Sequence, residues 1–92
     1  MLSKERIKEL KELLTTTCNN TTYIPEMYLK NEVVPQLVIV YIIFGKRYNF
    51  TIPAYLFEEA VHLDEYKKVS EDFINEVIRN VELAHKREEL IR

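Results

Sequence analysis

The segment LVIVYIIFGKRYNFTI, residues 37–52, constrains the fold more than any other part of the chain. Two runs rich in β-branched and aromatic residues flank Gly45, and a glycine set between such runs marks a tight β-hairpin. Glycine at the first central position suits a type II′ turn over Gly45-Lys46, because φ is positive there. That turn pairs Phe44 with Arg47, Ile43 with Tyr48, Tyr41 with Phe50 and Ile39 with Ile52. Alternation along each strand then gathers Leu37, Ile39, Tyr41, Ile43, Tyr48, Phe50 and Ile52 on one face. The opposite face carries Val38, Val40, Ile42 and Phe44 beside Arg47, Asn49 and Thr51. The second strand alternates between apolar and polar residues, whereas the first is apolar on both sides. A strand of that kind expects cover on both faces.

The chain has 92 residues, which is one domain, 1–92, burying about 60–65% of its unfolded surface. Cys18 is the single cysteine. No disulfide can therefore form within the chain, and a lone thiol fits a reducing, cytoplasmic setting. The sequence MLSKERIKEL has no signal-peptide core, and the apolar run at 37–44 falls far short of the ~20 residues a membrane helix needs. An intracellular protein without a membrane segment is expected.

A formal charge of −2 conceals an asymmetry. Residues 58–76 hold seven acids (Glu58, Glu59, Asp64, Glu65, Glu71, Asp72 and Glu76) against Lys67 and Lys68, a local net of −5. Such a block argues against a broad nucleic-acid footprint and for a basic protein partner. Acids also gather in the first turns of helices, where the dipole favours them, so part of the block has a structural explanation.

Around the hairpin, residues 2–14 read as an amphipathic helix. Ser3 is its N-cap, Leu2 and Ile7 form a hydrophobic staple, and Ile7, Leu10, Leu13 and Leu14 form the apolar stripe. The stretch 15–22, TTTCNNTT, has no periodicity and reads as a connection. Residues 23–34 read as an edge strand, with Met27, Leu29 and Val33 on one face and a turn at Lys30-Asn31-Glu32. A short helix beginning at Pro25 is the competing reading. Pro53 opens a helix over 53–63, capped by Thr51 or Ile52 and burying Leu56, Phe57, Ala60, Val61 and Leu63. Ser70 then caps a long last helix with heptad-spaced Ile74, Val77, Val81, Ala84 and Ile91. Its end, AHKREELIR, is expected to project beyond the two-stranded core.

No constellation names a reaction. A catalytic Cys18 would need a basic neighbour to lower its pKa, and none is near in sequence. His62 shares a helical face with Glu58, Glu59 and Glu65, but one imidazole falls short of a zinc ligand set. His85, among charged residues, reads as surface. One glycine is too few for a P-loop or a dinucleotide fingerprint. No cofactor and no metal are expected. Nucleic-acid binding rests on Lys46 and Arg47 at the hairpin tip with Tyr48 behind them, enough for a few phosphates only.

These readings combine into an α+β fold: an N-terminal helix, a short antiparallel meander and two C-terminal helices, the last one long. A small sheet that is apolar on both faces needs either helix 2–14 or a second copy of the chain on its second face. A non-catalytic, homodimeric interaction module is expected, regulatory or inhibitory in type. Its dimer contacts would be Val38, Val40, Ile42, Phe44, Val81, Ala84 and Ile91, and its acidic helical face would meet a basic partner. The size and the Lys/Glu/Tyr/Asn-rich composition suit a virus- or plasmid-encoded accessory protein.

Overall fold

The computed structural model describes residues 2–58 and 64–92. Helix α1 spans Lys4–Leu14, followed by strands β1 (Thr16–Cys18), β2 (Thr21–Tyr23), β3 (Glu26–Lys30), β4 (Gln36–Ile43) and β5 (Lys46–Pro53). A 3-10 turn at Ala54–Phe57 and helix α2, Asp64–Ile91, complete the chain. Strands β1 and β2 pair as a small hairpin, and β3, β4 and β5 form an antiparallel sheet in that order. The α+β class and the meander around the central hairpin are as the sequence implies.

Helix α1 starts as its sequence dictates. The Ser3 hydroxyl accepts a hydrogen bond from the Arg6 amide at 3.0 Å, satisfying one of the orphan donors of the first turn. Leu2, Leu10 and Leu14 are buried, whereas Leu13, expected in the same stripe, is exposed. It falls to the flank of the face that Leu10 and Leu14 present together.

The central hairpin turns one position earlier than expected. Ile43 pairs with Lys46 and Leu37 with Ile52, so Phe44 and Gly45 are the two loop residues. Both have positive φ, 49° and 81°, which is the type I′ pattern, not type II′. The resulting shift in pairing is two residues. Because strand side chains alternate with period two, a two-residue slip leaves every side chain on its face, and the division into core and outer face is unchanged. The stretch expected as a connection is the second hairpin. Asn19 and Asn20, at φ 47° and 70°, form a two-residue turn between Cys18 and Thr21. Asparagine tolerates the left-handed region better than other residues with a side chain, which makes the turn affordable.

Strand β3 is an edge strand, with Met27 and Leu29 packed against the core. Val33 lies beyond it in the bend and is fully exposed, not on the face of Met27 and Leu29. Of the helix expected over 53–63, the described residues form a single 3-10 turn at Ala54–Phe57, with Pro53 at its cap and Glu58 in extended conformation. Ala60, Val61, Leu63 and His62, also named for that segment, lie outside the described residues.

Helix α2 runs straight through Ser70, which is no cap. Its hydroxyl donates to the Lys67 carbonyl at 2.8 Å, so the polar group is satisfied inside the helix. Nothing from Asp64 to Ser70 is a glycine or proline, and Glu and Lys favour the helical state. The 28 residues of α2 span about 42 Å at 1.5 Å each, close to the 44 Å longest dimension of the molecule.

Both helices pack on one face of the sheet. Leu10 and Leu14 of α1, and Val77, Val81 and Ala84 of α2, share a core with Leu37, Ile39, Tyr41, Ile43 and Ile52. The Tyr41 hydroxyl, buried within it, donates to the Leu14 carbonyl at 2.6 Å, and burial pushes its pKa well above the ordinary tyrosine value. Among the described residues, neither helix packs on the second face of the sheet.

Candidate functional site

The outer face of the sheet is built from alternate residues of three strands. The register sets Glu26, Val40 and Asn49 in one row, Tyr28, Val38 and Thr51 in the next, and Ile42 beside Arg47 at the end. Val38 and Val40 are 4% and 8% exposed, sunk between the taller side chains of the two edge strands. Ile42, Ile24 and Tyr28 stand out from the face at 57%, 60% and 46% exposure. Ile24, Tyr28, Val40 and Ile42 line a cleft whose polar walls include Glu26 and Arg47. A second cleft continues past Tyr28 over Val38 to Lys30, Asn49 and Thr51. Apolar floor, aromatic wall and charged margins are the composition of a protein contact surface.

Of the other residues expected in a dimer contact, Val81 and Ala84 are buried in the chain's own core. Their heptad spacing reports the sheet beneath α2, not a second helix. Phe44, expected on the outer face, is half-buried against His85 (ring centroids 5.1 Å apart) because the turn begins there. The Arg92 guanidinium lies over the Phe44 ring, 4.3 Å from its centre. Ile91 is exposed, as is Leu90. The end of α2 does not project. Glu88 accepts hydrogen bonds from Lys46 Nζ at 3.2 Å and from the Tyr48 hydroxyl at 2.9 Å, tying the helix to the hairpin tip.

Those same bonds bear on the nucleic-acid residues. Lys46 is paired with Glu88, and Tyr48 is held against the core side with its hydroxyl engaged. Arg47 points from the outer face, where its Nε donates to Asn49 Oδ1 at 3.0 Å. The three residues do not converge on one surface, so they form no stacking platform.

The acidic residues divide differently from expectation because α2 begins at Asp64. Asp64 and Glu65 occupy its first turn, where the dipole accounts for them. Glu71 and Asp72 become mid-helix residues, exposed to solvent, and the dipole no longer explains them. Glu76 pairs with Arg79 and accepts from Asn80, and the Arg79 hydrogen bond holds its carboxyl below the usual range. Glu58 precedes the helix, and Glu59 and His62 lie outside the described residues.

His85 is the residue that sequence reasoning misplaced. It is 4% exposed. Its Nδ1 is 2.8 Å from the Tyr23 hydroxyl, and its buried Nε2 has no hydrogen-bond partner among the described residues, with Glu89 Oε2 at 3.4 Å. Beside it, Thr17, Cys18, Asn19, Glu82, Lys86 and Glu89 line a small cleft. Burial pushes the Cys18 thiol up and Glu82 adds to that, the wrong direction for a thiolate nucleophile. No group of three or more His, Cys, Asp or Glu within reach of one metal ion occurs among the described residues. His85 links both hairpins to α2, and only the i+4 partner Glu89 hints at this in the sequence. No helix among the described residues is long and apolar enough to cross a membrane. Compared with protein-family models, with curated proteins and with solved structures, the chain matches none.

Proposed function

We propose that this chain is a non-catalytic protein-interaction module of regulatory or inhibitory type, homodimeric through the outer face of its sheet. The observation that carries this reading is the position of both helices on one side of a sheet whose other side presents Ile42, Ile24 and Tyr28 to water, around a floor of Val38 and Val40 that the protomer already buries. Apolar surface of this kind is stabilised when another protein removes it from water. The acidic side of α2 is the second contact, offered to a basic partner, with Glu71 and Asp72 as exposed mid-helix acids that the helix dipole does not account for.

Light scattering after gel filtration tests the first contact. The expected mass is twice the 11.0 kDa of the chain, and a monomer throughout the range from about 1 to 100 µM, where an interface of modest area would associate, would overturn it. Charge reversal tests the second. With a basic partner in hand, Glu71→Lys together with Asp72→Lys should slow association several-fold and flatten its salt dependence. An unchanged rate and salt slope would reduce these acids to a solvated face.

A further inference from the structure

We propose that the cleft between the β1–β2 hairpin and α2 is a zinc site, with His85 Nε2 and Glu89 Oε2 as its nucleus and Cys18 and Glu82 as the remaining ligands. The site is independent of the dimeric reading above. It starts from a single atom. Among the described residues, His85 Nε2 is the buried side-chain nitrogen or oxygen left without a hydrogen-bond partner, and its residue is 4% exposed. A polar atom removed from water and left unpaired is costly, so its presence calls for a ligand. The other ring nitrogen, Nδ1, is 2.8 Å from the Tyr23 hydroxyl. In the tautomer whose Nδ1–H donates to that oxygen, Nε2 presents a bare lone pair. A histidine oriented through one nitrogen and open at the other is the usual form of a metal ligand.

The far side of the ring fits a dication. Glu89 Oε2 lies 3.4 Å from Nε2, long for a hydrogen bond. Two ligands each about 2.0–2.1 Å from a tetrahedral zinc ion stand about 3.3–3.4 Å apart. Residues at i and i+4 share a helical face, and Asn19 Nδ2 donates to the other carboxylate oxygen of Glu89 at 3.2 Å, which fixes that side chain beside the imidazole. Cys18 and Glu82 line the same cleft. Glu82 stands one turn before His85, and its charge is near enough to Cys18 to raise the thiol pKa. As the side chains stand, no three such donors surround one point among the described residues. Rotation of the exposed Glu82 and the half-buried Cys18 brings the third and fourth ligands in.

Imidazole nitrogen, thiolate sulfur and carboxylate oxygen together suit zinc over magnesium or calcium, which prefer oxygen alone. Cys18 binds as thiolate and releases its proton to solvent. Two carboxylates and a thiolate exceed the charge of the ion by one, and Lys86 on the cleft wall offsets the excess. The bound ion fastens β1 to α2, two elements far apart in sequence, and stabilises the fold in doing so.

The experiment titrates zinc chloride into the full, reduced chain by calorimetry. One zinc per chain is expected, with Kd below about 10 µM and about one proton released per ion when buffers of different ionisation enthalpy are compared. Cobalt(II) in place of zinc should show a thiolate-to-metal charge-transfer band that Cys18→Ser removes. Because His85 belongs to the core, its co-ligands at the cleft surface are the ones to change. Glu89→Gln and Cys18→Ser, verified as folded by circular dichroism, should each weaken zinc binding at least about tenfold, the cost of one missing ligand. His62→Gln, which removes the chain's other imidazole, should leave the affinity unchanged. Binding by the unaltered chain no tighter than about 100 µM would overturn the site. So would one-to-one binding that survives both Glu89→Gln and Cys18→Ser, or that disappears with His62→Gln.

Discussion

Ile39 and Ile42 lie on the same strand and face opposite sides of the sheet, so their truncation should have opposite consequences. Ile39 is completely buried beneath the helices, and Ile39→Ala should destabilise the protomer by about 2–5 kcal/mol through lost transfer energy and the cavity left behind. Ile42 retains 57% of its surface in water. Full burial of an isoleucine side chain contributes roughly 1.5–3 kcal/mol, so about half of that is unrealised in one protomer. A second copy covering both faces would realise about 1.5–3 kcal/mol from the two Ile42 side chains together. Ile42→Ala should therefore weaken dimerisation roughly 10- to 150-fold, while costing the protomer less than about 1.5 kcal/mol. Sedimentation equilibrium across a dilution series measures the first quantity. Urea unfolding well below the dimer dissociation constant measures the second. A dissociation constant unchanged within about twofold, which is under ~0.5 kcal/mol, would refute the reasoning and leave the outer face open to water.

The remaining expectations concern the frame that holds the face in place. Tyr41→Phe strips the buried Leu14 carbonyl of its donor and should cost about 1–3 kcal/mol; a urea midpoint that does not move would show that carbonyl to be satisfied otherwise. Gly45 has φ 81° and nothing within 4 Å of an added Cβ, so Gly45→Ala should cost only the left-handed backbone term, about 1–2 kcal/mol, with Gly45→Asn closer to neutral in the same unfolding assay. Hydrogen bonds from Tyr48 and Lys46 hold the Glu88 carboxyl below its ordinary value of 4.5. A group depressed in the folded state contributes in full above the unfolded pKa and loses its contribution as pH falls through the folded one. The contact between hairpin tip and α2 should accordingly weaken below about pH 4.5, seen as lower amide protection factors at Lys46 and Tyr48 once the intrinsic pH dependence of exchange is divided out, and Glu88→Gln should abolish that acid dependence.

Local pattern determined much of this protein. Ser3 before an amphipathic run specifies where α1 begins, because its hydroxyl is the nearest acceptor for an orphan amide. The alternation of residues 37–52 separates Ile39 and Tyr41 from Val40 and Ile42, and period two keeps that separation even when the pairing slips by two residues. Pro25 and the Met27/Leu29 alternation mark β3 as an edge.

The tertiary structure decided the rest, wherever a local preference was weak or a distant contact stronger. Phe44 takes the left-handed position of the turn, unfavourable for an aromatic residue, where His85 and Arg92 pack against its ring. Ser70 offers a cap that α2 does not use, because its hydroxyl is satisfied by Lys67 within the helix. His85 lies in a charged stretch that reads as surface, yet two hairpins close over it through Tyr23 and Phe44. Above all, the amphipathic stripe of α1 fits either apolar face of β4 equally well by pattern. Hydrophobic attraction is non-directional, so the choice of face depends on chain connectivity and side-chain packing, neither of which a one-dimensional pattern encodes.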